Sequence, residues 1–573
     1  MDSEFCTKTI AQVFDEVVEH HGDCVAYGFR RNTYTWGETD QAVRVVMENM
    51  RAAGIGAGTP VGICAPNSYG YLVTFFAIQR LGAVAVLMNR DDSLEEIAVC
   101  CRLAHVELLC FNGSYRQSGI HLFVPNFKPG EAGSLRAFMD ISAGSEEQYV
   151  VKPFAGGASE ALPSVSEAMS GASESAFQTA ETVPGADEAA SGASAALDMA
   201  SDALREPDCR KDACILFTSG SSGKPKAVRL SHFSMLNTAL FSGAQYHLES
   251  TDRLCLALPL FHCFGIVFCI LSALCAHAPV FIASTLRTID IVHVIVENRC
   301  TVFHAVPTLF LAIARKAQNA GESLSCIRAS TLAGAALMPH QYERLSADFP
   351  HIHFMTAYGQ TETSPTLTHT SYDDTFDHLC HTVGKPLKNV ELVIAKCDIA
   401  GKGDDSAPWG NADHLCQTGE VGEILARGYC LMNGYASLSE SEQPFDEYGW
   451  LHTGDLGFFD EEGYLHIAGR IKEIIIRGGE NISPIEVEKE ITAYGSVVMC
   501  KVLGVPHEFY GEEVVACLKL TNGSRFDEAD LVSFLSGRLA DYKIPTRFYL
   551  FDRFPMTPAG KPDIQLLRAS IES

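Results

Sequence analysis

Positive charge is scarce in this sequence. Lys and Arg number 43 against 70 Asp and Glu, a net charge of −27 over 573 residues. Such a surface disfavours nucleic acid and anionic membranes as partners, and an anionic substrate would need a locally basic site. Cys-x-x-Cys pairs are absent among the 20 cysteines, several of which, such as Cys269 and Cys275, stand in apolar runs. They read as small buried hydrophobes in a reducing cytoplasm. The opening Met1-Asp2-Ser3-Glu4-Phe5-Cys6 lacks the basic and apolar stretches of a signal peptide. The closing Ile571-Glu572-Ser573 is not a peroxisomal address. A cytoplasmic location is therefore expected.

No uninterrupted apolar helix reaches the ~20 residues a membrane span needs. Leu254 to Leu286 holds no Asp, Glu, Lys or Arg, but Pro259, Gly265 and Pro279 divide it. Its helical part, about Ile266 to Ala276, is short, so a buried strand–helix–strand is expected and no transmembrane segment.

What the sequence does hold is alternation. Thr9-Ile10-Ala11-Gln12 and Thr35-Trp36-Gly37-Glu38 both read as capping boxes that open helices. Val61–Ala65 reads as a buried strand, Leu72, Phe75 and Phe76 mark the next helix, and Ala83–Leu87 the next strand. This pattern predicts layered α/β subdomains with a largely parallel sheet. Residues about 153–205 break it: Ala, Ser, Gly and Glu dominate, and Glu160, Glu167, Glu174, Glu181 and Glu188 recur at seven-residue spacing. Pro163, Gly171, Pro184 and Gly192 interrupt any coiled-coil seam, so a disordered acidic insertion is the reading. Residues about 387–470 are rich in short strands and Gly turns, which predicts a small β subdomain. From Ile474 a small α+β unit follows, in which Ser483-Pro484-Ile485-Glu486 has the form of a helix N-terminus, with Ser as N-cap.

The organising stretch is Ile215-Leu216-Phe217-Thr218-Ser219-Gly220-Ser221-Ser222-Gly223-Lys224-Pro225-Lys226. A buried strand feeds a loop whose small residues let backbone N–H groups crowd an anion, while hydroxyls add donors and lysines add charge. That suits a polyphosphate, although the spacing is not that of a Walker loop. Gly334-Ala335-Ala336 would let a flat base approach the backbone. In Tyr358-Gly359-Gln360-Thr361-Glu362-Thr363, Tyr358 offers a ring for stacking, Thr361 a donor, and Glu362 a hard oxygen suited to Mg²⁺. Leu451-His452-Thr453-Gly454-Asp455, Gly469-Arg470-Ile471-Lys472 and Pro555-Met556-Thr557-Pro558-Ala559-Gly560-Lys561 complete the series.

These motifs, in this order, resemble those of the adenylate-forming superfamily, which holds acyl-CoA synthetases, peptide-synthetase adenylation domains and luciferases. The resemblance covers nearly the whole chain apart from the insertion. It implies an N-terminal domain over 1–471, a hinge at Lys472, and a mobile C-terminal domain over 473–573. It further implies that Thr218, Ser219, Gly220, Ser221, Ser222, Gly223 and Lys226 hold ATP phosphates, and that Gly334, Ala335, Ala336, Tyr358 and Gly359 line the adenine. Asp455 would take the ribose hydroxyls, Arg470 ribose or phosphate, and Thr361 the α-phosphate. Lys561 would bridge the carboxylate and the α-phosphate, and the Gly478-Gly479 turn would replace it in a CoA-facing state. Ala227 stands where the family usually has Gly.

His262 replaces the acid that amino-acid-activating relatives use, and His262, Cys263, Phe264 and Gly265 with Gly334 would form the acyl pocket. The implied activity is that of an AMP-forming acid–CoA ligase acting on a fatty or aryl carboxylic acid. Mg²⁺ would be its metal, with ATP and CoA as co-substrates. Only twelve residues follow Lys561, so no fused carrier is expected. Two alternatives stay open: a ligase that loads a separate acyl carrier protein, and a non-catalytic nucleotide-binding relative.

Overall fold

The computed structural model describes residues 5–113, 133–142, 151–153, 208–219, 225–335, 337–397, 414–439, 442–521, 523–557 and 561–572. Nearly all of the acidic 153–205 segment lies outside these residues, as do Gly220–Lys224, Ala336 and Pro558–Gly560. The chain gathers into two compact units, Met1–Cys24 with Thr35–Phe233, and Val25–Tyr34 with Ser234–Ser573.

In the first unit both expected capping boxes are formed. Thr9 Oγ1 accepts from Gln12 N–H and Thr35 Oγ1 from Glu38 N–H, opening the helices Ile10–His21 and Trp36–Ala52. The helix Tyr69–Arg80 buries every residue from Tyr69 to Gln79, as an interior helix with apolar residues on all sides must. The sheet runs Val151–Pro153, Ala137–Asp140, Leu108–Phe111, Pro60–Cys64, Val84–Leu87, Asp212–Ser219 and Pro225–Ser231. Its middle pairs are parallel and the pair at each end is antiparallel. The predicted strand before the expected phosphate loop is thus one arm of a hairpin, with Thr218 opposite Lys226 and Ser219 opposite Pro225.

The second unit carries a nine-stranded sheet. Val25–Phe29, Val280–Ile282, Leu254–Leu256, Val302–Phe303, Ala329–Ala333 and His353–Tyr358 are successive parallel neighbours. The charge-free segment is the expected strand–helix–strand. Phe264–Leu271 winds as a π-type helix that continues into an α-helix over Ser272–Ala276. Among the described residues no helix is long and apolar enough to cross a membrane.

Residues predicted as a β subdomain form a four-stranded antiparallel sheet of Val390–Ala395, Gly422–Gly428, Leu451–Phe459 and Leu465–Arg470. A further sheet from Ile475 to Leu550 has its own core, which includes Ile475, Ile482, Val487, Ile491, Val514 and Leu531. Its helix Pro484–Thr492 begins where predicted, with one correction. Ser483 makes no cap bond; its hydroxyl donates instead to the Ala468 carbonyl, beyond the predicted hinge. All 20 cysteines are free thiols, twelve of them buried.

Candidate active site

The strand His353–Tyr358 delivers Tyr358 to the end of the nine-stranded sheet. The chain then passes so close to itself that a Cβ on Gly359 would lie 2.0 Å from the Pro365 carbonyl oxygen, so only glycine fits. The Tyr358 hydroxyl donates to Asp455 Oδ2 at 2.8 Å, and Arg470 Nε pairs with Asp455 Oδ1 at 2.8 Å. Strand register explains the second contact, because Asp455 and Arg470 stand opposite each other in the antiparallel sheet. The turn before Asp455 is braced: its N–H donates to Thr453 Oγ1 at 3.1 Å, and the Gly454 N–H to Glu423 Oε1 at 3.1 Å. Burial lifts the Asp455 carboxyl above its ordinary range, while the Arg470 charge and the Tyr358 hydroxyl oppose that rise. Each carboxylate oxygen still has a second lone pair, so Asp455 can accept from a diol while keeping both partners.

Glu362 lies on a short 3₁₀ turn, Thr361–Thr363, that follows Gly359. It is buried, at 8% exposure. Its Oε1 accepts from the Tyr435 hydroxyl at 2.7 Å, and its backbone carbonyl accepts from Met432 N–H at 2.9 Å. Burial and the Glu362 charge push the Tyr435 hydroxyl well above the usual tyrosine range, so it remains a donor. Among the described residues Oε2 accepts no hydrogen bond and no Lys or Arg pairs with the carboxylate. A buried carboxylate with no directly paired counter-charge, the Arg470 charge acting on it only at a distance, is costly. A hard cation arriving with phosphates would offset that cost. Mg²⁺ commonly takes one or two carboxylates plus phosphate oxygens, so the donor set fits although no cluster of three or more His, Cys, Asp or Glu gathers among the described residues.

Lys561 is fixed from below by Thr557: the Lys561 N–H donates to Thr557 Oγ1 at 3.2 Å, and the Thr557 N–H to the Lys561 carbonyl at 2.7 Å. Its Cε would lie 3.8 Å from a Cβ on Gly334, which places the lysine over the Gly334 loop. The residue as a whole is exposed, yet its ammonium is crowded by protein. That crowding and the nearby Arg470 charge hold its pKa below the ordinary lysine value. Burial, then the Lys561 charge, pushes His262 down to about 4, so the imidazole is neutral near pH 7. Cys263 is buried with its Sγ 3.7 Å from Thr361 Oγ1, and burial lifts its thiol to about 11. Phe264 and Gly265 open the π-type helix, a distortion often found at functional sites.

His262, Cys263, Gly334, Tyr358, Gly359, Thr361, Glu362, Asp455, Arg470 and Lys561 all belong to the second unit. Contacts and electrostatic coupling join His262 to Lys561, Lys561 to Gly334 and Arg470, and Arg470 through Asp455 to Tyr358. Ala335 follows Gly334 in the same loop. Of the residues predicted to hold phosphates, Thr218, Ser219 and Lys226 belong to the first unit, at the strand ends of the hairpin. Gly220, Ser221, Ser222, Gly223 and Ala336 lie outside the described residues. Lys472 occupies a single 3₁₀ turn, Ile471–Glu473, and Gly478-Gly479 form a hairpin tip at φ +62° and +90°. Sequence reasoning named Thr453 only as part of the Leu451–Asp455 motif and missed Tyr435 and Glu423 as site residues, whose only local signals were the neighbouring Gly434 and Gly422.

The chain matches the family of AMP-binding enzymes over residues 14–436 and the AMP-binding enzyme C-terminal domain over residues 486–561. It is 30% identical over 578 residues to the acyl-CoA ligase sidI of Aspergillus fumigatus, covering 96% of this chain and 89% of that one. It is 26% identical over 576 residues to a mitochondrial medium-chain acyl-CoA ligase of Danio rerio, covering 99% and 89%. Among solved structures, ATP-bound MatB from Rhodopseudomonas palustris superposes with a TM-score of 0.77 at 25% identity, over 98% of this chain and 99% of that one.

Proposed function

As the chain belongs to the family of AMP-binding enzymes, we propose that it is an AMP-forming acid–CoA ligase for a fatty or aryl carboxylic acid. The observation that carries this reading is the convergence of Lys561, Asp455, Tyr358 and Glu362 with a neutral His262. A cation, a diol acceptor, a stacking ring and a metal-binding carboxylate suit acyl-adenylate formation, and Asp455, Tyr358 and Glu362 are each held by a side-chain hydrogen bond.

In the first half-reaction a substrate carboxylate oxygen attacks the α-phosphorus of ATP. The new C–O–P linkage forms as the bond to pyrophosphate breaks. Charge on the carboxylate and α-phosphate oxygens is what must be stabilised, and preorganised donors do that most effectively. Lys561 would bridge those oxygens, with Thr361 donating to the α-phosphate. Tyr358 would stack on adenine, its ring held by the bond to Asp455, whose remaining lone pairs accept the ribose hydroxyls. Mg²⁺, when bound with ATP, neutralises phosphate charge, and Glu362 Oε2 would hold it. Thr218 to Lys226 would cradle the outgoing phosphates.

In the second half-reaction a CoA thiol attacks the mixed anhydride, and AMP leaves with the carboxylate-derived oxygen. Lys472 would serve as the pivot that swings residues 473–573, bringing the Gly478-Gly479 tip toward the site in place of Lys561. Neutral His262, Cys263, Phe264 and Gly265 would wall an apolar acyl pocket, which favours an acid without a second charge. The free thiols of all 20 cysteines support a reducing, cytoplasmic setting.

The test is pyrophosphate release across a panel of fatty and aryl acids, with CoA consumption followed in parallel. Release without CoA consumption would redirect the reading to a ligase that loads a separate acyl carrier protein. Neither signal with any acid, despite ATP binding, would leave a non-catalytic nucleotide binder.

A further inference from the structure

Tyr435 lies outside every motif that pointed to the site, yet it makes the one side-chain hydrogen bond that Glu362 accepts from the described residues. The tyrosine is buried, at 6% exposure, and its backbone is held on both sides by one glutamine. Its N–H donates to Gln443 Oε1 at 2.7 Å, and Gln443 Nε2 donates back to the Tyr435 carbonyl at 3.0 Å. The same Nε2 also donates to the Leu438 carbonyl at 3.1 Å. A second tie joins this loop to the Glu362 backbone, through Met432 N–H at 2.9 Å. Gln443 therefore fixes Tyr435, and Tyr435 fixes one oxygen of a carboxylate that otherwise rotates broadly about its last torsion.

We propose that Tyr435 is a positioning residue for the metal of bound ATP: by holding Glu362 Oε1 it fixes the carboxylate so that Oε2 is the oxygen presented to Mg²⁺. This rests on the reading of Glu362 as the Mg²⁺ ligand. The physical case is that a ligand's outer partner sets its orientation and basicity, and loss of such a partner commonly lowers metal affinity about 10–100-fold. A residue that merely filled space would leave metal affinity unchanged once its ring was kept.

Tyr435→Phe keeps the ring and deletes the donor. The probe is Mn²⁺, counted by electron paramagnetic resonance in the presence of the unreactive analogue α,β-methylene-ATP. Tyr435→Phe should weaken Mn²⁺ binding to the protein–nucleotide complex about tenfold. Binding of the analogue in EDTA should not change. Glu362→Gln should weaken Mn²⁺ at least as much, and adding Tyr435→Phe to it should cost nothing further, because the two act as one unit. Should Tyr435→Phe fold poorly, Gln443→Met removes both bonds to the Tyr435 backbone and should shift Mn²⁺ binding in the same direction by about threefold. Mn²⁺ affinity within twofold of the parent in Tyr435→Phe, or in Gln443→Met where that is the variant that folds, together with weakened binding in Glu362→Gln, would overturn the role of Tyr435 and leave Glu362 as ligand. Unchanged Mn²⁺ affinity in Glu362→Gln would overturn the ligand reading itself, and the inference with it.

Discussion

The Tyr358 hydroxyl and the Asp455 carboxylate, 97 residues apart in the chain, are joined by a hydrogen bond of 2.8 Å. The bond ties the end of the nine-stranded sheet to the four-stranded one, so the ring proposed to stack on adenine and the carboxylate proposed to take the ribose hydroxyls are set by the same contact.

Asp455→Asn should therefore weaken AMP binding more than Tyr358→Phe does. Asparagine keeps the shape but loses the charge that Arg470 pairs with and one acceptor oxygen. Hydrogen bonds to a charged group are worth about 1.5–3 kcal/mol, or roughly 10–150-fold in affinity. Calorimetric titration of AMP into the two variants measures the difference. Equal affinities for both would remove Asp455 from the ribose.

The half-reactions should separate by mutation. Lys561→Ala should slow pyrophosphate release by roughly 10²–10³-fold and spare thioester formation from a pre-made acyl-adenylate. Lys472→Pro should do the reverse by stiffening the pivot, and acyl-AMP should accumulate. Single-turnover kinetics of each step reads both; equal damage to both steps in both variants would rule out alternation.

Lys561 also sets an alkaline limit. In the proposed reaction the adenylation step uses its ammonium, and crowding and the Arg470 charge hold its pKa below the ordinary lysine value of 10.5. Adenylation should thus fall as pH rises, starting earlier than an unperturbed lysine would dictate. Arg470→Gln removes one cause and should move that limb upward, whatever it does to the maximum rate. A limb that stays in place assigns the titration to another group.

Acid should destabilise the fold through buried histidines. His232 Nδ1 accepts from the Ile10 N–H at 3.2 Å, and burial holds its pKa at about 4; His369 is likewise held at about 4. The unfolded chain binds these protons near pH 6.5 and the native one only near 4. Stability is complete above about 6.5 and is lost progressively as pH falls toward 4. Each group accounts for about 3 kcal/mol at the low end. Melting temperature against pH tests this, and His232→Gln should flatten part of the decline. A flat profile from 7 to 4 would count against neutral burial.

The acyl pocket makes a size prediction. Cys263 is buried beside Thr361, so Cys263→Trp should depress kcat/KM for long or aryl acids far more than for acetate. A uniform loss across chain lengths would take this stretch out of the pocket.

Much of this site was legible because its parts are local. The Tyr358–Thr363 run, the Asp455 turn and Lys561 stand out by polar side chains set directly beside or just after a glycine. Capping at Thr9 and Thr35 was legible for the same reason, since the partners are three residues apart. Ser483 had the same local form, yet its hydroxyl found the Ala468 carbonyl, a partner fifteen residues back. Tyr435 was invisible because its meaning lies in Glu362, 73 residues away, and nothing near Gly434 encodes that pairing. Long-range polar pairs of this kind are written in the fold, while periodicity and capping are written in the chain.

The free thiols give this protein a set of built-in reporters. Cys24 is the one exposed cysteine, and twelve others are buried. Burial lifts Cys101 and Cys430 to about 12, so neither offers an alkylating reagent a thiolate until its surroundings open. Cys100, Cys101 and Cys110 mark the seven-stranded sheet region, Cys255 and Cys300 the nine-stranded one, and Cys517 the sheet that follows Ile475. A timed alkylation pulse read by mass would therefore give the order in which those three layers come apart.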